Sequence, residues 1–103
     1  ARAMAMLGEP LSAAEAVAAG LVWKALPDGE LMAEAERVTA QLAALPALAL
    51  CRIKQALNQS EHNSLDQQLD LERDLQALSG HTADYAEGVR AFMEKRAPRF
   101  NQG

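Results

Sequence analysis

The chain has 103 residues, with 10 Lys+Arg against 14 Asp+Glu, two His and one Cys. That length suits one domain, and its net charge of −4 argues against a general nucleic-acid binder, which shows a basic face. Half of the residues are apolar but only 4% are aromatic, so Ala and Leu must build the core. The longest apolar run, Leu42 to Cys51, is far short of the ~20 residues of a membrane span, and a single cysteine excludes an internal disulfide or a Cys-based zinc site.

The elements follow in chain order. Ala1 to Leu7 reads as helix, with Gly8 as its stop. A helix with no N-cap at residue 1 looks cut in the middle, so a fragment is expected; removal of an initiator Met is the alternative. Ser12-Ala13-Ala14-Glu15 is a capping box, in which the serine oxygen takes an orphan N–H while the glutamate reaches back. A short helix Ala13 to Ala19 should end at Gly20. Leu21 to Leu26 is apolar, is closed by Pro27-Asp28-Gly29, and reads as an extended segment or short strand.

Asp28 is placed to cap a helix from about Glu30 to Leu45, where Leu31, Ala35, Val38 and Leu42 recur at helical spacing. Pro46 ends that helix or opens the next. Ala47 to Gln59 carries Leu50, Ile53, Ala56 and Leu57 along one side. After the polar break 59–63, Ser64 to Gln67 forms a second capping box for a helix that stops at Gly80. Thr82 should cap the last helix, about Ala83 to Lys95, and an extended tail follows.

The helix after Ser64 has two leucine stripes. Leu65 and Leu69 fall within about 40° of each other on the helical wheel, while Leu71, Leu75 and Leu78 gather about 100–150° away. One stripe suffices for one core. Two imply packing on a partner as well as on the helix's own domain, or a helix sandwiched within a small bundle.

Few residues suggest chemistry. His62 and His81 lack a second histidine at the i+3 or i+4 spacing of helical metal pairs, so they are expected in solvent and no metal site is expected. Cys51 lies on the apolar side of its helix and should be a buried, inert small hydrophobe. Asp84 and Glu87 fit helix capping and dipole roles. Glu72, beside an apolar face, is the carboxylate whose burial would shift its pKa, and an arginine partner is expected for it. The basic cluster around Lys95, Arg96 and Arg99 suits either the dipole of a helix end or a phosphate group.

Several ordered motifs carry a resemblance. Leu7-Gly8-Glu9-Pro10-Leu11-Ser12-Ala13-Ala14-Glu15-Ala16 with Gly20-Leu21-Val22, then Ile53-Lys54-Gln55-Ala56-Leu57, Leu71-Glu72 and Asp84-Tyr85-Ala86-Glu87-Gly88-Val89-Arg90-Ala91-Phe92 with Glu94 to Phe100, resemble the C-terminal region of the enoyl-CoA hydratase/isomerase (crotonase) superfamily. Leu69 to Asp74 and Ala83-Asp84-Tyr85 look most like the epoxyphenylacetyl-CoA isomerases of phenylacetate catabolism.

The resemblance implies an all-α fold over residues 1–103, the C-terminal helical (trimerisation) domain of the crotonase fold, with one short extended segment near 21–26. It implies that the catalytic carboxylate and the oxyanion-hole N–H groups lie in a preceding β-β-α spiral core, whose motifs this sequence lacks. No catalytic residue is therefore expected in the chain, and it should be inactive alone. The parent would be a cytoplasmic enzyme of acyl-CoA or fatty acid metabolism that moves a proton next to a thioester. It would be a homotrimer or dimer of trimers, with no cofactor beyond its acyl-CoA substrate and with neither nucleic acid nor membrane as partner. Lys95 matches the family's lysine near the CoA phosphates and adenine. Around Gln76, where some hydratases place an aromatic near the adenine, this sequence departs from the family. A standalone helical interaction module without catalysis is the alternative reading.

Overall fold

The computed structural model describes residues 2–102, and these are all-helical, with six α-helices and one 3-10 turn. The chain divides into two units, Ala1–Glu36 and Arg37–Gly103.

In the first unit, α1 (Arg2–Leu7) stops where Gly8 takes φ 65. Ser12 caps α2 (Ala13–Ala18) through the complete capping box read from the sequence, with Glu15 returning to the Ser12 backbone N–H. The end of α2 has two paired bonds. Leu21 N–H reaches Ala16 O at 2.9 Å and Gly20 N–H reaches Val17 O at 3.0 Å. Gly20 sits between them at φ 72, where a side chain is disfavoured.

Residues 21–26 stay non-helical but form no strand, as a strand needs a pairing partner and none is present among the described residues. Lys24 of this segment instead reaches forward to Glu34 at 2.7 Å. Asp28 does not cap the following helix as expected. It begins a 3-10 turn, Asp28–Glu30, that runs directly into α3 (Leu31–Ala43), and its predecessor Pro27 offers no capping side chain.

In the second unit, α4 (Ala47–Ser60) packs on α5 (Leu65–Gly80), and α5 packs on α6 (Ala83–Met93). Ser64 and Thr82 cap α5 and α6 as their positions suggest. The core is small: Leu75 of α5 is 9% exposed and Ala91 of α6 is 1% exposed. The two stripes of α5 have different fates. Leu71 is half-buried and Leu75 buried, whereas Leu65 and Leu69, and Leu78 at the end of the second stripe, are exposed, so α5 lies against α4 and α6 with its first stripe uncovered among the described residues. Across the helix interface, Gln68 Nε2 donates to the Ala56 carbonyl of α4 at 3.2 Å.

Candidate functional site

Directed polar contacts join α6 to the tail after it. The α6 C-terminus repeats the bonding of α2. Arg96 N–H reaches Ala91 O at 3.0 Å and Lys95 N–H reaches Phe92 O at 3.2 Å. Here the residue between the paired bonds is Lys95, at φ 53. Glycine is the residue that fits this left-handed position without cost, and a lysine there carries a conformational penalty of about 1 kcal/mol. The Lys95 side chain is exposed.

The flanks of Lys95 are fixed by carboxylates. Glu87, two turns earlier on α6, accepts Arg96 Nη1 at 2.6 Å and Nη2 at 3.0 Å, a bidentate fork. It also accepts the Arg99 backbone N–H at 2.9 Å. Glu94 accepts Arg96 Nε at 2.6 Å. The Arg96 hydrogen bonds, with the Arg99 N–H second, hold the Glu87 carboxyl down to about 2, and the same two carboxylates raise Arg96 above its ordinary value. Arg90, 4.0 Å from Glu87, adds a weaker pull.

Further along, Asp84 accepts the Asn101 N–H at 2.7 Å. Asn101, itself at φ 60, works at a distance in sequence. Its Oδ1 accepts the Ala47 N–H at 3.1 Å and its Nδ2 donates to Leu45 O at 2.9 Å. Pro46 occupies the cap position of α4 and has no side-chain acceptor, so Asn101 supplies the missing cap from the tail. The Phe100 ring lies over Gly88, where a Cβ would meet its Cε1 at 3.7 Å.

Asp84 lies in the first turn of α6, where it suits the helix dipole, but neither it nor Glu87 is the cap. Thr82 does that work for α6, and the two carboxylates hold the tail. Spacing could not show this, because the partners lie 9 to 17 residues away. The basic cluster is also divided in role. Arg96 is committed to Glu87 and Glu94, while Lys95 stands clear of the ion pairs found among the described residues. An open cleft of about 620 Å³ runs past Glu87, Arg90, Arg96 and Arg99, and an apolar groove of about 390 Å³ is lined by Leu48, Tyr85, Val89, Phe92 and Phe100. Lys95 lines neither.

The remaining candidates lie apart. His62 and His81 are exposed, and no cluster of three or more His, Cys, Asp or Glu suited to a metal ion occurs among the described residues. Cys51 is exposed, which corrects the expected burial. Among the described residues, α5 is the helix packed substantially on α4, and much of the apolar side of α4, Leu48, Ile53 and Leu57 included, is also open. Glu72 is exposed too, and its partner is Gln68, at 2.8 Å, in place of the expected arginine. No helix among the described residues is long and apolar enough to cross a membrane.

The sequence matches the enoyl-CoA hydratase/isomerase family profile over residues 1–103. The chain belongs to the enoyl-CoA hydratase/isomerase family. It is 50% identical over 102 residues to 1,2-epoxyphenylacetyl-CoA isomerase of Escherichia coli K12, covering 97% of this chain and 39% of that protein. It is 38% identical over 97 residues to 2,3-dehydroadipyl-CoA hydratase of the same organism, covering 94% and 38%. Its fold superposes on the crystal structure of an enoyl-CoA hydratase from Polaromonas sp. JS666 with a TM-score of 0.87 at 38% identity, covering 93% of this chain and 37% of that one. The chain thus spans about two fifths of the length of these relatives. The all-helical fold agrees with the helical C-terminal part of this enoyl-CoA hydratase/isomerase family.

Proposed function

We propose that residues 1–103 supply the helical part of an acyl-CoA hydratase or isomerase that assembles the enzyme and covers the bound CoA. The reaction would move a proton next to a thioester, through an enolate held in an oxyanion hole whose donors, like the catalytic carboxylate, lie outside these residues. In this reading the chain alone turns over no enoyl-CoA, acyl-CoA is substrate, and the mechanism calls on no further cofactor. The identity to an isomerase acting on an epoxyphenylacetyl thioester favours the isomerase branch.

The observation that carries the reading is Lys95. A lysine held in a left-handed turn on an anchored tail, with its ammonium unpaired among the described residues, is a built presentation of one positive charge. The CoA phosphates are the matching charge in a family whose substrates are CoA thioesters. The exposed Leu65 and Leu69 stripe of α5 suits assembly into a homotrimer or a dimer of trimers in a cytoplasmic enzyme.

The test is Lys95→Ala in the enzyme that carries this chain. A phosphate contact far from the reacting carbon adds binding that is equal in ground and transition states. KM for the acyl-CoA substrate should rise, by roughly tenfold for one lost charged contact, with kcat little changed. Equal losses in kcat and kcat/KM would overturn the assignment.

A further inference from the structure

We propose that Glu87 is a positioning residue, which pins both the Arg96 side chain and the Arg99 backbone so that the backbone of the left-handed turn at Lys95 is held in place for the lysine to meet a phosphate group of CoA. The proposal rests on the reading of Lys95 given above and extends it to the group that sets its geometry.

Lys95 has little backbone freedom. The residue before it, Glu94, closes α6 with its N–H on Arg90 O at 2.9 Å, and the residue after it, Arg96, is bonded back to Ala91 O at 3.0 Å. These bonds alone leave the following chain free to pull the turn open. Glu87 closes that route from two sides, through the Arg96 fork and through the Arg99 N–H. Its side chain is only 15% exposed, which limits competition from water for those bonds. Asp84 continues the anchor at Asn101.

Among these anchors, Glu87 alone makes direct bonds on the C-terminal side of Lys95 at two residues. The disfavoured φ of 53 at Lys95 persists because its surroundings over-determine it. A lysine with a fixed backbone loses fewer degrees of freedom on binding an anion than one on a loose tail, so its contact is worth more.

The experiment compares Glu87→Gln, Lys95→Ala and the double variant in the enzyme that carries this chain. Trypsin cleavage after Lys95 and Arg96 reads the anchor, and calorimetric Kd for free CoA reads its consequence. Glu87→Gln keeps the side-chain shape but loses the charge and the fork. It should be cleaved about tenfold faster, as a charge-assisted pair is lost. Its Kd for CoA should rise several-fold, and less than that of Lys95→Ala. The double variant should bind no more weakly than Lys95→Ala, because Glu87 acts only through that lysine. Arg96→Lys, which retains a positive partner for Glu87 but not the fork, should fall between wild type and Glu87→Gln on both readouts, and it serves if Glu87→Gln does not fold.

Unchanged cleavage would overturn the anchor. Faster cleavage with an unchanged Kd, while Lys95→Ala weakens binding, would overturn the positioning role and leave the Lys95 contact standing. An unchanged Kd in Lys95→Ala would overturn the contact and the positioning role together, with the cleavage rates still reporting the anchor separately.

Discussion

The C-termini of α2 and α6 carry the same pair of hydrogen bonds and differ in the residue at the turn. At α2 it is Gly20, φ 72; at α6 it is Lys95, φ 53. The backbone problem is common to both, and glycine solves it with no strain. At α6 the disfavoured conformation is kept along with a side chain. Glu87, Glu94 and Arg96 surround that turn with bonds, whereas the α2 turn relies on glycine and shows no comparable ion pair among the described residues. A strained residue held by its surroundings points from geometry to function, and this contrast singles out Lys95 without any appeal to sequence motifs.

Substitutions that exchange the two solutions sharpen the comparison. Gly20→Ala meets no atom within 4 Å, so its cost is purely conformational. It should destabilise by about 1–2 kcal/mol, read as a lower urea midpoint at constant m-value. Lys95→Gly should act in the opposite direction and by less, stabilising by up to about 1 kcal/mol, partly offset by the greater freedom of glycine in the unfolded chain, while still weakening CoA binding. A Lys95→Gly variant that is less stable than wild type would break the comparison, since the turn would then not be strained.

The smallest expected effect at neutral pH concerns the anchor. The Glu87 pKa is lower when folded, at about 2, than its ordinary value of 4.5. A carboxylate lowered in this way stabilises the fold above its unfolded pKa, and that contribution disappears as pH falls through the folded value. The tail should therefore keep its amide protection from neutral pH down to about pH 4–5 and lose it progressively between there and about 2. In Glu87→Gln this acid step at the Arg99 amide should be missing. Hydrogen exchange at the Arg96 and Arg99 amides reads it.

Local signals in the sequence located most of the helices. Ser12, Ser64 and Thr82 cap as read because an N-cap depends on residues within one turn. Gly8 and Gly20 stop helices for an equally local reason. Asp28 shows where local reading fails: the chain enters α3 through a 3-10 turn, so no cap position opens at that residue. Cys51 shows another limit. Periodicity identifies an apolar side of α4, but whether anything covers that side depends on packing, and here it is open.

The anchor was the least legible part. In the sequence only the family resemblance points to Lys95, and nothing in its neighbours marks it as a helix-end turn, because glycine is the usual signal. The Asn101 cap on Ala47 joins residues 54 apart, across a proline that leaves an N–H with no side-chain cap of its own. A proline at a helix start followed much later by a lone asparagine in an extended tail has no period to detect.

The central claim, that Lys95 meets the CoA, is tested most directly by chemical footprinting. In the enzyme that carries this chain, acetylation of Lys95 by an amine-reactive reagent would be followed by mass spectrometry with and without saturating CoA. Lys54, exposed on α4, serves as the internal reference. The account predicts that CoA slows acetylation at Lys95 and leaves Lys54 unchanged. Equal rates at Lys95 with and without CoA would contradict it.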